Sequence, residues 1–215
     1  MDVWLGLMPT FWEGFKMTLL LLVVSGLGAL VVGTLVAAMR ISPVPALQKV
    51  ATVFTELARN TPLTLVFYFT IFVMPMLGVR SEFLPLALIA LTFYTSPFVA
   101  EALRSGINGV PMGQAEAARS IGMGFTQTVT LIVLPQAFRM TVPPLINVFI
   151  ALTKNTSVAG GFFIMELFGV AKTLANANGN IVLLILGTTA AFYLVITVTL
   201  GYSAGRLEKK WVVQR

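Results

Sequence analysis

Five long apolar runs, separated by short breaks rich in proline, glycine and charge, make up almost all of the 215-residue chain. A hydrocarbon layer about 30 Å thick needs about 20 apolar helical residues to cross it. The pattern therefore predicts five membrane-spanning helices over residues 15–39, 53–77, 84–104, 140–162 and 181–205. In the first, Ser25, Ala29, Gly33 and Ala37 fall four apart on one helical face, where small side chains let another helix approach closely. Arg40, Pro43 and Pro45 end it. The opening turns of the second carry Glu56, Arg59, Asn60 and Thr61 before Pro62. Glu56 and Arg59 are placed to pair at i, i+3, either as a satisfied ion pair at the water boundary or as part of a gate. The third is interrupted by Pro97, whose missing N–H releases the carbonyl of Phe93.

The run from Thr128 to Leu152 admits two divisions. As one span it leaves Arg139 near the bilayer centre, at about 2.5–3.5 kcal/mol. The cheaper division makes residues 125–138 a short amphipathic cytoplasmic helix and starts the fourth span at Met140, with Pro143 and Pro144 in its first turn. Residues 166–180 then form the outer connection, and the fifth span carries Gly201 and Gly205 as a GxxxG pair.

Composition agrees: 57% of residues are hydrophobic and only 10% charged, against roughly 25% charged in soluble domains. Cysteine and histidine are both absent. That excludes disulfides, thiolate or imidazole metal ligands and nucleophile–histidine catalysis, so no catalytic and no metal-binding residue is expected. The opening through Glu13 lacks a basic segment, so the first span is expected to serve as its own uncleaved insertion signal. The net charge of +6 reads as an orientation signal rather than nucleic-acid binding. With the C-terminus cytoplasmic and the N-terminus outside, Arg40, Lys49, Arg59, Arg104, Arg119, Arg139, Arg206, Lys209, Lys210 and Arg215 all fall at or inside the cytoplasmic boundary, as the positive-inside rule requires. Trp4, Trp12 and Trp211 fall outside the spans, near the interfaces.

At about 1.5 Å per residue, Tyr94, Thr95 and Ser96 reach the midplane of the third span. Asn147, Thr188 and Thr189 come to similar depth, with Thr61 and Thr64 nearer the cytoplasm. One such hydroxyl ordinarily bonds a neighbouring helix; the cluster points to a substrate pathway at the midplane beside broken helices. Lys154, followed by Asn155, Thr156 and Ser157, is an intramembrane cation and so a candidate functional site, with snorkelling to the outer surface as the other reading. Glu101 and Arg104 read as a cytoplasmic-end ion pair or gate element.

The longest polar-rich interruption runs from Gly113 to Pro135, GQAEAARSIGMGFTQTVTLIVLP. Good helix formers from Gln114 to Ile121 end at Gly122 and Gly124. Its Glu-Ala-Ala triplet, the interval to Gly122 and the Ile-Val-Leu-Pro ending resemble the EAA loop of ABC-importer permease subunits. The flanking EALRSGINGVP and PQAFRMTVPPLINVFIALTKNTSVAG are similar to the polar amino acid branch of that family. The resemblance implies an all-α integral membrane chain with the type I ABC importer permease fold, five transmembrane helices and a cytoplasmic coupling helix in the loop 105–139. It implies docking on an ATPase through Gly113, Gln114, Glu116, Ala117, Ala118 and Gly122, with Ala117 and Ala118 keeping one face low for the partner's groove. No GxxxxGK[ST] loop occurs, so ATP and Mg are expected on separate ATPase subunits and no cofactor on this chain. The partners implied are a second permease subunit, two ATPase subunits and an extracytoplasmic substrate-binding protein, in a bacterial inner membrane. The small-residue faces of the first and fifth spans are candidate surfaces for the second subunit. Asn155 stands where the family more commonly has aspartate, which favours glutamate or glutamine over basic cargo. The alternative, a subunit of an ion-gradient-driven secondary transporter or channel, predicts a midplane carboxylate, and none is present; a membrane scaffold without transport is the remaining one.

Overall fold

The computed structural model describes residues 2–211; Arg215 of the expected basic tail lies outside the described residues, as does the side chain of Trp211. The described chain is helical almost throughout. The helices are α1 (Asp2–Ile41), α2 (Pro45–Asn60), α3 (Leu63–Tyr68), α4 (Met74–Met76), α5 (Phe83–Asn108), α6 (Met112–Ser120), α7 (Phe125–Gln127), α8 (Leu134–Asn155), α9 (Leu167–Ala177) and α10 (Val182–Trp211). By length and composition four helices can cross a membrane, and the bent pair Pro45–Asn60 with Leu63–Met76 makes a fifth.

That pair bends by 101°, where the sequence pattern predicts one straight span from residue 53. Thr61 is extended at φ −93°, ψ 132°, because a residue before proline is driven out of the helical region and Pro62 has no N–H to continue the ladder. Two π turns, Phe69–Val73 and Thr128–Val133, each precede a proline by two residues, at Pro75 and Pro135. The N–H of Met74 donates to Phe69 and that of Leu134 to Val129, five residues back, so the widened turns make room for the proline rings.

The helical path from Phe125 to Gly161 is continuous. The expected division at residue 138 is absent, and Pro143 and Pro144 lie inside α8 rather than in a first turn. α1 is likewise longer than predicted, 40 residues, so Trp4 and Trp12 sit within it rather than outside a span.

α1 is the spine. Ser25 and Ala29 are fully buried and Ala37 nearly so; a Cβ on Gly33 would lie 2.7 Å from the Ser96 carbonyl oxygen and from Val99. The small-residue face expected to meet a second subunit is thus spent inside the chain, against α5. The GxxxG pair differs: a Cβ on Gly201 would lie 3.8 Å from Ile150, and one on Gly205 would meet nothing within 4 Å among the described residues. The main core joins Leu21, Phe67, Leu86, Leu91, Leu152 and Ile164. Leu27, Val31, Leu35, Leu183, Val195 and Val198 are exposed, as lipid-facing side chains of a membrane bundle are.

The connection over residues 166–180, expected on the outer side, contains α9. Glu166 caps it by accepting from the N–H of Gly169 at 2.8 Å. A Cβ on Gly160 would lie 2.6 Å from that same nitrogen, so the 3₁₀ turn Thr156–Gly161 and α9 meet backbone to backbone. Phe163 between them is held at φ 66°.

Candidate functional site

Two places carry candidate function: a polar helix on the loop between α5 and α8, and a cavity between those two helices.

α6 forms from the Gly-Gln-Ala-Glu-Ala-Ala segment and stops at Gly122, whose φ of +88° suits glycine. The N–H of Gly122 donates to Arg119 at 3.0 Å and that of Met123 to Ala118 at 3.2 Å, the two bonds of a Schellman cap. Gly113, Gln114, Glu116 and Ala117 are exposed. Ala118 is not: it is 5% exposed on a helix that packs against the π turn Thr128–Val133. Of the two alanines expected to face a partner, only Ala117 is available. Sequence reasoning missed the apolar neighbours of this surface, Met112, Ile121 and Phe125, which are 79%, 79% and 76% exposed. Their signal was large apolar side chains in a segment assigned to water.

The cavity, about 430 Å³, is lined by Tyr94, Thr95 and Phe98 of α5 and by Asn147, Val148, Ala151, Leu152 and Asn155 of α8. Two asparagines, a tyrosine and a threonine converge, and no charged side chain lines it. Thr95 is 3% exposed and its hydroxyl has no partner among the described residues, so a hydrogen-bonding group brought in by a ligand would satisfy it. Four of the predicted pathway residues, Tyr94, Thr95, Asn147 and Asn155, thus share one cavity.

The others lie elsewhere. Ser96 is buried and donates to the Phe93 carbonyl at 3.0 Å, satisfying the acceptor that Pro97 leaves free. Thr61 lines a second, mostly apolar cavity of about 420 Å³ with Leu65, Val66, Phe69, Thr70, Met74, Ile89 and Phe93. Thr64 is exposed. Thr156 donates to Thr153 and Ser157 to the Lys154 carbonyl, each at 2.7 Å. Lys154 is exposed, with no acidic partner among the described residues. Thr188 accepts from the Trp4 indole at 2.9 Å, and Thr189 bonds Ile185.

At the Arg40–Glu101 end of the bundle, Glu56 and Arg59 do not form the ion pair that their spacing suggests. Asn60 donates to the Glu56 carboxylate at 3.5 Å, while the Arg59 guanidinium lies over the Phe98 ring, 5.6 Å from its centroid. The 101° elbow lies between Asn60 and Leu63, so α2 runs off at an angle to the rest of the span. Glu101 pairs with Arg104 at 3.2 Å and also with Arg40. Arg40 was missed as a partner, although it ends the first span at the depth where Glu101 ends the third.

A further polar centre was not foreseen. Glu166 is fully buried and accepts from Tyr193 at 2.5 Å, from Gly169 at 2.8 Å and from Thr18 at 3.4 Å. It joins α1, α9 and α10. Burial pushes its carboxyl above the usual range, against the hydrogen bonds that favour the charged form.

Comparison with known proteins adds independent likenesses. A family model described as binding-protein-dependent transport system inner membrane component matches residues 29–212. The chain is 39% identical to the glutamate transport system permease protein GluC of Corynebacterium efficiens, over 99% of each chain. It is 40% identical to the probable glutamine ABC transporter permease protein GlnM of Bacillus subtilis, over 93% of this chain and 92% of that one. The crystal structure of an amino acid ABC transporter with histidines superposes at a TM-score of 0.90 with 27% identity, covering 97% of each chain.

Proposed function

The chain belongs to the family of binding-protein-dependent transport system inner membrane components, and from that premise we propose that it is the membrane-spanning permease subunit of an ATP-driven amino acid importer carrying glutamate or glutamine. The observation that carries this reading is the uncharged cavity between α5 and α8, a mostly apolar wall into which four polar side chains converge, of a size suited to one small solute. Asn147, Asn155, Thr95 and Tyr94 supply donors and acceptors for the ammonium and carboxylate of an amino acid. No carboxylate in the lining waits for a basic side chain. The relatives named for glutamate and glutamine transport agree with that chemistry.

ATP and Mg are bound and the nucleotide hydrolysed on two separate ATPase subunits. α6, with Glu116 and the exposed Met112, Ile121 and Phe125 around it, is the element that meets them: a carboxylate for a basic group and apolar anchors for a groove. The cavity is walled by two helices of this chain, and a second permease subunit closes the conduit. An extracytoplasmic binding protein delivers the amino acid. The chain lies in a bacterial inner membrane with its N-terminus outside and C-terminus cytoplasmic. A gradient-driven carrier is disfavoured because no carboxylate lines the cavity to couple an ion.

The test is reconstitution of the chain with its ATPase, permease partner and binding protein in vesicles, with ATP on the ATPase side. Labelled glutamate or glutamine accumulates only with hydrolysable ATP, and Glu116→Lys uncouples the ATPase from the membrane subunit. Uptake driven by an ion gradient without ATP would overturn the assignment.

A further inference from the structure

We infer that Arg59 reads a side-chain carboxylate at the inner end of the cavity, so that the permease itself prefers a dicarboxylic amino acid to its amide. The inference rests on the assignment of the α5–α8 cavity to the amino acid. Phe98 is both a wall of that cavity and the ring beneath the Arg59 guanidinium, 5.6 Å from its centroid.

The charges around this end decide which cation is free. Arg40, Arg59 and Arg104 gather there with Glu56 and Glu101, close enough for Arg40 to feel Arg104, Glu56 and Arg59. Glu101 is engaged by Arg40 and Arg104 together. Glu56 is held by Asn60 through both its carboxylate and its backbone carbonyl. Arg59 is therefore the one guanidinium of the three without a carboxylate partner among the described residues. Its contact is with the ring, and a guanidinium stacked on an aromatic face keeps its N–H edge open for a bidentate bond to a carboxylate.

The lining itself is neutral, and Arg59 adjoins it through Phe98. An acidic side chain pointing toward Phe98 meets no carboxylate in the lining and offers two charged oxygens for a bidentate pair with the guanidinium, whereas an amide offers one uncharged oxygen and an NH2 group that cannot accept. Asn147 and Asn155 remain for the groups common to both ligands.

The experiment is equilibrium binding of radiolabelled L-glutamate and L-glutamine to the assembled permease–ATPase complex in lipid nanodiscs, without the binding protein, whose own selectivity would mask the effect. Arg59→Gln is expected to weaken glutamate tenfold or more and to leave glutamine within twofold. Arg59→Lys, which keeps the charge and loses the planar fork, falls between; Phe98→Leu, which removes the ring under the guanidinium, shifts selectivity in the same direction. An equal loss of both ligands in Arg59→Gln, or unchanged glutamate binding, overturns the inference. If Arg59→Gln does not assemble, Arg59→Lys and Phe98→Leu decide on the same criterion, equal effects on the two ligands overturning it. A wild-type complex that binds neither ligand refutes the cavity assignment itself, a different result from binding both without dependence on Arg59.

Discussion

Arg40, in the last turn of α1, is ion-paired with Glu101 of α5, whose other oxygen takes Arg104 at 3.2 Å. The Arg40 and Glu101 side chains are only 13% and 24% exposed, so the pair is largely removed from water. Arg40→Met strands the carboxylate with one half-exposed partner, and a loss of about 2–3 kcal/mol is expected, toward the range for breaking a buried pair. The double variant Arg40→Met with Glu101→Met recovers part of it, since the stranded carboxylate is gone while Arg104, 37% exposed, loses its partner and falls back on water. Thermal unfolding of the detergent-solubilised complex measures both.

Gly33 and Gly205 give opposite outcomes for the same substitution. Gly33→Ala pushes a methyl group to 2.7 Å from the Ser96 carbonyl and from Val99, and overpacking of this kind costs about 1–3 kcal/mol. Gly205→Ala meets nothing within 4 Å and stays within about 0.5 kcal/mol. If Gly205→Ala instead disrupts assembly while sparing the fold, α10 carries the contact with the second subunit, which cross-linking across that face would register.

Glu166 imposes a pH dependence. Its folded-state carboxyl titrates above the usual range because of burial, so its contribution to stability is fully present below the ordinary value, about 4.3. That contribution is lost as pH rises through the folded value. The complex should unfold at a lower temperature at pH 8 than at pH 5, and Glu166→Gln should flatten the difference while keeping a side-chain acceptor for Gly169. A slope unchanged in Glu166→Gln would assign it to other groups.

Gly122 holds φ +88° at the end of α6, a conformation a Cβ disfavours by about 1 kcal/mol. Gly122→Val, β-branched, costs more and disturbs the two capping bonds to Arg119 and Ala118. Weaker capture of the ATPase in pull-downs, with uptake reduced in proportion and membrane insertion unchanged, is the expected result.

The spans were legible because an apolar run of sufficient length leaves a helix little alternative in lipid. Their geometry was less so. Pro62 announces a lost hydrogen bond but not the angle at which the chain resumes, so the 101° elbow could not be read from the pattern, and an i, i+3 spacing does not show that Arg59 turns to the Phe98 ring while Glu56 takes Asn60. The division at residue 138 rested on the cost of Arg139 at the bilayer centre, yet the helix from Phe125 to Gly161 is 37 residues long. That is about 55 Å at 1.5 Å per residue, and it projects well beyond the hydrocarbon. Arg139 can reach water without a break. Depth counting did bring Tyr94, Thr95 and Asn147 together because α5 and α8 pack antiparallel face to face, and Asn155, read from its place beside Lys154, joins them in the same cavity. It could not tell that Thr188 turns toward Trp4, since depth says nothing about azimuth. Glu166 was passed over as part of a connection because an N-cap and a buried network look alike in one dimension.

The elbow also changes the thickness of the barrier. Beyond it, Leu63–Met76 spans roughly 20 Å at about 1.5 Å per residue, about 10 Å short of the hydrocarbon layer. Lipid must thin or water must enter beneath that corner, and the shortfall falls on the side of Arg59 and Asn60. A polar group at that corner meets water before the full depth of the surrounding hydrocarbon is crossed. The low-dielectric distance is correspondingly shorter there than in the membrane around it.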